Sequence, residues 1–207
     1  MGNKTKRRAE KYFFECENLE ENFHPQSFFE SERPLGLELG MGKGRFLRDR
    51  AFQKPHVGYL GVELKKDRAN KAALKLEDVG LESCRIIRSD VKDFFARIDP
   101  EARFDVIHLN FPDPWPKKRH TKNRLLNPQF IELYVKALKK GGALVFVTDD
   151  PDYAIYGQEN LQAVTELVDV FDGIRMNWPC YPVSIHEEKF REWGRSIHYQ
   201  KFVKKVK

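Results

Sequence analysis

A chain of 207 residues, 41% of them apolar, has the size and composition of one soluble domain that can build a core without disulfides or metals. No apolar run approaches the roughly 18 residues that span a bilayer, and the basic start Met1-Gly2-Asn3-Lys4-Thr5-Lys6-Arg7-Arg8 lacks the apolar stretch of a secretory signal. The net charge of +6 is moderate, but residues 115–124 hold five Lys or Arg and no acid, a local stripe that suits nucleic acid better than membrane.

Residues 1–33 are charged, with Phe and Tyr scattered irregularly. They read as a mobile N-terminal arm with one short helix, ahead of a single domain over 34–207. Lys6 stands where a myristoylation motif requires Ser or Thr. From Leu35 the pattern becomes regular. Leu35–Leu39, Tyr59–Leu64, Cys84–Ser89, Phe104–Leu109 and Ala143–Thr148 are apolar runs of strand length, separated by segments of helical period. The clearest helix has Asn127 as cap, Pro128 at its first position and an apolar stripe of Phe130, Ile131, Tyr134, Ala137 and Leu138. Lys139 and Lys140 would face the negative end of its dipole, and Gly141-Gly142 would stop it. Residues 168–177 and 196–203 can add two antiparallel edge strands. The alternation predicts an α/β fold: a doubly wound, mostly parallel sheet with an antiparallel C-terminal edge strand. Cys16, Cys84 and Cys180 are odd in number, far apart and without metal-ligand spacing, which predicts reduced thiols in a cytoplasm and no metal site.

In open α/β sheets ligands sit beyond the carboxyl ends of the strands. Here those ends carry acids. The first runs into Glu38-Leu39-Gly40-Met41-Gly42-Lys43-Gly44, the second into Gly61-Val62-Glu63, the third into Arg88-Ser89-Asp90, and the fourth into Asn110 and Asp113. The dinucleotide fingerprint G-x-G-x-x-G is absent; the spacing is Gly40-x-Gly42-x-Gly44, with Glu38 before it. A carboxylate is unwelcome beside a pyrophosphate but suits an ammonium or a sulfonium. Glu63 can take both ribose hydroxyls of a nucleoside, and Asp90 can accept from an adenine amino group. Together the three acids describe a pocket for S-adenosylmethionine. Singly, each also reads as a helix cap, and Asp90 before Val91 is the clearest such case.

Residues 110–120 read Asn110-Phe111-Pro112-Asp113-Pro114-Trp115-Pro116-Lys117-Lys118-Arg119-His120. Three prolines at alternate positions stiffen the loop and hold the Asp113 carboxylate in one place. Trp115 reads as a stacking surface or as a core indole. Lys117, Lys118, Arg119, His120, Lys122 and Arg124 offer charge to a polyanion. Asp149, in Thr148-Asp149-Asp150-Pro151, reads as a further strand-end site carboxylate or as a cap or turn partner.

These residues resemble the bacterial tRNA (guanine-N7-)-methyltransferases, class I enzymes with a Rossmann-like fold that modify guanine 46 of the tRNA variable loop. The similarity covers roughly 34–195 and rests on Leu37–Gly44, Gly61–Glu63, Thr148-Asp149 and above all Phe111–His120. The resemblance implies S-adenosylmethionine as cofactor, held by Glu38, Gly40, Glu63, Asp90 and Asp113, with Asp113 also catalytic. It implies tRNA as partner, with substrate contacts at Lys117 and Asp149 and RNA contacts at Arg119, His120, Lys122 and Arg124. A late Thr-x-aromatic-Glu segment of the family falls on Ser184-Ile185-His186-Glu187, where Ser184 keeps a hydroxyl, Glu187 keeps the carboxylate and His186 replaces the aromatic. Two other readings remain open. One is exocyclic amino methylation, whose Asn/Asp-Pro-Pro-aromatic motif residues 110–115 echo; the other is an RNA-binding module without catalysis.

Overall fold

The computed structural model of the protein describes residues 9–206, and the chain divides into two compact units, Met1–Ala102 and Arg103–Lys207. The first unit runs β1 (Phe13–Glu15), β2 (Leu35–Leu39), α1 (Arg45–Gln53), β3 (Gly58–Glu63), α2 (Lys66–Asp78), β4 (Cys84–Arg88) and α3 (Val91–Arg97). Its strands lie in the order β1-β4-β3-β2, every pairing parallel. β2 and β3 are buried along their whole length, which is why they read as unbroken apolar runs rather than alternating ones. The core includes Met41 and Leu47, Tyr59 and Ile86 of the strands, and Ala69, Ala72, Ala73 and Leu76 of α2.

The second unit runs β5 (Phe104–Asn110), α4 (Pro128–Ala137), β6 (Leu138–Thr148), α5 (Pro151–Gln162), β7 (Leu167–Asp169), α6 (Ile185–Glu192) and β8 (His198–Lys204). β5 and β6 pair in parallel, and β8 lies between β6 and β7, antiparallel to both. The fold is therefore the expected mostly parallel, Rossmann-like α/β class, its reversed C-terminal strand flanked by short β7. Among the described residues no helix is long and apolar enough to cross a membrane. Cys16 and Cys84 are buried free thiols and Cys180 is an exposed one; burial pushes the Cys84 thiol well up.

Two expectations are corrected. α4 is capped by Asn127, whose Oδ1 accepts from Phe130 N–H at 3.0 Å, but Gly141-Gly142 do not stop it. The helix ends at Ala137 and the chain passes directly into β6, with Leu138 opposite Phe104. The glycines instead make a bulge: Gly141 has φ +78°, and a Cβ on Gly142 would lie 2.9 Å from the Phe104 carbonyl oxygen. Lys139 accordingly leaves the helix end and pairs with Asp105 at 2.9 Å.

The second correction concerns residues 9–33. The arm holds β1 and two 3-10 turns, Cys16–Asn18 and Pro25–Phe28, with no α-helix among the described part. Phe23 bridges to Ile98, and Arg97 Nε donates to the Leu19 carbonyl at 2.9 Å. Glu15 fastens the segment, pairing with Lys66 at 2.8 Å and Arg88 at 3.0 Å. Burial disfavours its charge, but the bonds from Lys66 and Arg88 outweigh that and hold the carboxyl below its ordinary value. A depressed folded-state pKa gives stability above the unfolded value that is lost as pH falls through the folded one. Glu15→Gln should therefore lower the Tm at pH 7, with the gap to wild type closing as pH drops below about 4.5 in thermal melts.

Candidate functional site

In the first unit the turn after β2 is hooked onto β3. The Gly40 and Met41 N–H groups both donate to the Val62 carbonyl, at 2.8 and 3.2 Å. Gly40 and Gly42 have φ of +72° and +59°, and a Cβ built on either would meet nothing within 4 Å. Glycine is thus demanded here by backbone conformation and not by packing, and the turn faces open space that a ligand can approach. Glu63, buried at the end of β3, holds the turn's other side: Oε2 accepts from Gly42 N–H at 3.0 Å and Oε1 from Lys65 N–H at 2.8 Å. Each carboxylate oxygen has a second lone pair, so Glu63 can brace the turn and still accept from a diol. Glu38 is buried at the end of β2.

Asp90 is a helix cap that also faces a cavity. Its side chain caps α3, accepting from Lys92 N–H at 2.8 Å, and it also lines a cavity of about 340 Å³. Glu15, Cys16, Leu64, Arg88 and Ser89 share that cavity. The sequence assigns Glu15 and Cys16 no part in the site, because β1 is only three residues long, too short to show a period.

In the second unit the loop after β5 is strongly constrained. Phe111 and Trp115, both bulky, have φ of +51° and +43°. Such conformations persist only where surrounding contacts impose them. Phe111 N–H donates to the Val147 carbonyl at 2.8 Å. Asn110, just before it, accepts from the Tyr181 hydroxyl at 2.7 Å, and that hydroxyl lies 2.9 Å from His108 Nδ1. With the hydroxyl proton directed to Asn110, His108 Nδ1 is the donor in this buried chain. At the loop's far end Arg124 Nε donates to the Pro114 carbonyl at 2.7 Å, its guanidinium 5.0 Å from the Tyr153 ring and 4.5 Å from Tyr156.

Arg124 was expected on the RNA-facing stripe. It is 8% exposed and its Nε–H is committed to the Pro114 carbonyl, so it supports the loop. Asp113 is exposed at the tip, as are Lys117, Arg119 and Lys122. His120 is half-buried and takes a bond from Arg119 Nε at 3.2 Å. Trp115 is 37% exposed, edge-on to His120, and so is not a core indole.

Asp149 and Asp150 divide two roles. Asp150 caps α5, accepting from Tyr153 N–H at 2.8 Å, while Asp149 forms an ion pair with Arg195. Ser184 caps α6, accepting from Glu187 N–H at 3.1 Å. The Glu187 carboxylate, 2% exposed, accepts from the Tyr199 hydroxyl at 2.5 Å and from Arg191 Nε at 3.0 Å. Burial and the Glu187 charge together push the Tyr199 hydroxyl well up, keeping it a donor. Ser184 and Glu187 therefore build α6 and fasten it to β8. The helix in turn reaches the loop, for the Phe111 ring lies 5.5 Å from Phe190 and 6.2 Å from His186. Phe111, His186 and Phe190 had no assigned part in the site; the i, i+4 spacing of His186 and Phe190 was the available signal.

Comparison with known proteins fits this arrangement. A family model described as "Putative methyltransferase" matches residues 32–199. A tRNA (guanine-N(7)-)-methyltransferase from Syntrophotalea carbinolica is 32% identical over 197 residues, covering 91% of this chain and 82% of the relative. One from Chlamydia pneumoniae is 31% identical, covering 95% and 87%. Among solved structures, an rRNA methylase from Streptococcus thermophilus matches with a TM-score of 0.56 at 15% identity, over 84% of this chain and 89% of that one. The plantazolicin methyltransferase BpumL, solved with SAH, matches with a TM-score of 0.59 at 12% identity, over 87% and 80%. At those identities the likeness is one of fold.

If Ser184 acts through the helix cap, Ser184→Ala should cost about 1 kcal/mol in urea unfolding and Ser184→Thr much less. A side chain that only touched substrate would leave stability unchanged and raise KM.

Proposed function

As this chain belongs to the tRNA (guanine-N(7)-)-methyltransferase family, we propose that it methylates N7 of guanine 46 in the tRNA variable loop. The observation that carries the reading is the constrained loop, with the Asp113 carboxylate exposed at its tip and the exposed cations Lys117, Arg119 and Lys122 after it. The cofactor is S-adenosylmethionine, and the first unit fits it. The glycine turn is open, Glu63 retains acceptor capacity toward a ribose, and Asp90 lines a cavity of about 340 Å³. In this reading Glu38, Gly40, Glu63 and Asp90 hold it, and the family resemblance adds Asp113. When bound, it supplies an electrophilic methyl group on a sulfonium.

Guanine N7 carries a lone pair and no proton, so no residue has to act as general base. The protein's share is alignment and charge. Methylation leaves the base cationic. Asp113, and Asp149 beside it in role, accept from the guanine amino or imino edge and favour the charged product. Lys117, Arg119, His120 and Lys122 contact the RNA and set its orientation through phosphates. N7 faces a groove that side chains cannot enter in A-form RNA, so the base is presented by tRNA tertiary structure or moved out of its stack. Trp115, exposed, is available as a stacking surface.

Incubation of unmodified tRNA with methyl-labelled donor, followed by nuclease digestion and mass spectrometry, should find the label on N7 of guanine 46. Label on an exocyclic nitrogen, or at another position, would overturn the assignment. Asp113→Ala should retain most tRNA affinity and lose methylation. Replacing Lys117, Arg119 and Lys122 together by Ala should flatten the salt dependence of tRNA binding by about 0.7–0.9 per lost phosphate contact.

A further inference from the structure

We propose that Arg195 is a resident stand-in for the target guanine: its guanidinium occupies Asp149 and the Phe190 face until the base displaces it. This rests on the reading that Asp149 binds the guanine edge. A guanidinium and that edge are chemically alike, for both are planar and both present two parallel N–H donors to a carboxylate. The surroundings suit either. The Arg195 guanidinium pairs with Asp149 and lies 5.2 Å from the centre of the Phe190 ring. A carboxylate beside an aromatic face is what a stacked, edge-bound guanine requires. Phe190 also touches Phe111 of the Asp113 loop, which ties this spot to the reacting loop through direct ring contact.

Two features make Arg195 the partner that moves. The Asp149 side chain is only 12% exposed and is fixed at the end of β6, whereas the Arg195 side chain is 53% exposed. The arginine backbone is held, its N–H donating to the Phe190 carbonyl at 2.9 Å, so the long side chain can swing without unfolding the turn. A half-exposed ion pair has little net strength, while a largely buried carboxylate with no donor is costly. The arginine thus keeps Asp149 satisfied in the free protein and yields easily. The exchange also discriminates. Adenine offers one donor and one acceptor on the same edge and cannot replace a two-donor partner, and inosine offers a single donor.

The experiment is equilibrium binding of guanosine 5′-monophosphate to the full chain. Arg195→Ala and Arg195→Gln should both bind it more tightly than wild type, by roughly two- to fivefold, the strength of a half-exposed ion pair. Inosine monophosphate should gain less and adenosine monophosphate nothing. Adding Asp149→Asn should abolish the gain. If Asp149→Asn weakens guanosine monophosphate binding but neither Arg195 variant strengthens it, the stand-in is wrong and the base-binding role of Asp149 survives. If Asp149→Asn changes nothing in either background, the underlying role of Asp149 fails instead.

Discussion

The bond from Arg124 to the Pro114 carbonyl governs the form of the second unit's rim. A guanidinium stacked near Tyr153 and Tyr156 of α5 fixes one end of the loop, while Phe111 N–H, tied to Val147, fixes the other. Between these anchors the prolines at 112, 114 and 116 leave few torsions free, and Phe111 and Trp115 are driven to positive φ. Rigidity of this kind matters for a reaction with no proton to abstract. In the reaction proposed above, the carboxylate at the tip acts only through where it stands, and the loop's contribution is that placement.

The same economy recurs at the other carboxylates. Glu63 braces the glycine turn, Asp90 caps α3, Glu187 binds Tyr199 and Arg191, and Asp149 holds Arg195. None waits as a bare charge. Each is satisfied by backbone N–H groups or by a neighbouring donor, which holds its rotamer and limits the cost of removing it from water. In the proposed reaction, ligand groups are added to those partners at Glu63 and replace them at Asp149.

Much of this is legible in the amino-acid sequence. Apolar runs marked β2 through β5 to within a residue, because strands buried on both faces leave an unmistakable trace. Asn127 and Pro128 announced α4 through local capping chemistry. What stayed hidden depended on distant partners. Gly141-Gly142 look like a helix stop until Phe104 is known to lie opposite Leu138. Arg124 looks like one more cation in a basic stripe, since the two tyrosines that enclose it come about thirty residues later. Arg195 carried no signal at all, because its relation to Asp149 spans 46 residues and exists only once α6 has folded back.

The role of Arg124 decides the account most directly. Single-turnover methyl transfer at saturating tRNA should be slowed by both Arg124→Ala and Arg124→Lys, since lysine keeps the charge but loses the flat stack and the Nε–H bond. The salt dependence of tRNA binding should remain that of wild type. If Arg124→Lys reacted at the full rate while Arg124→Ala lost about 0.7–0.9 of salt slope, Arg124 would be an RNA contact and the loop would owe its shape to something else.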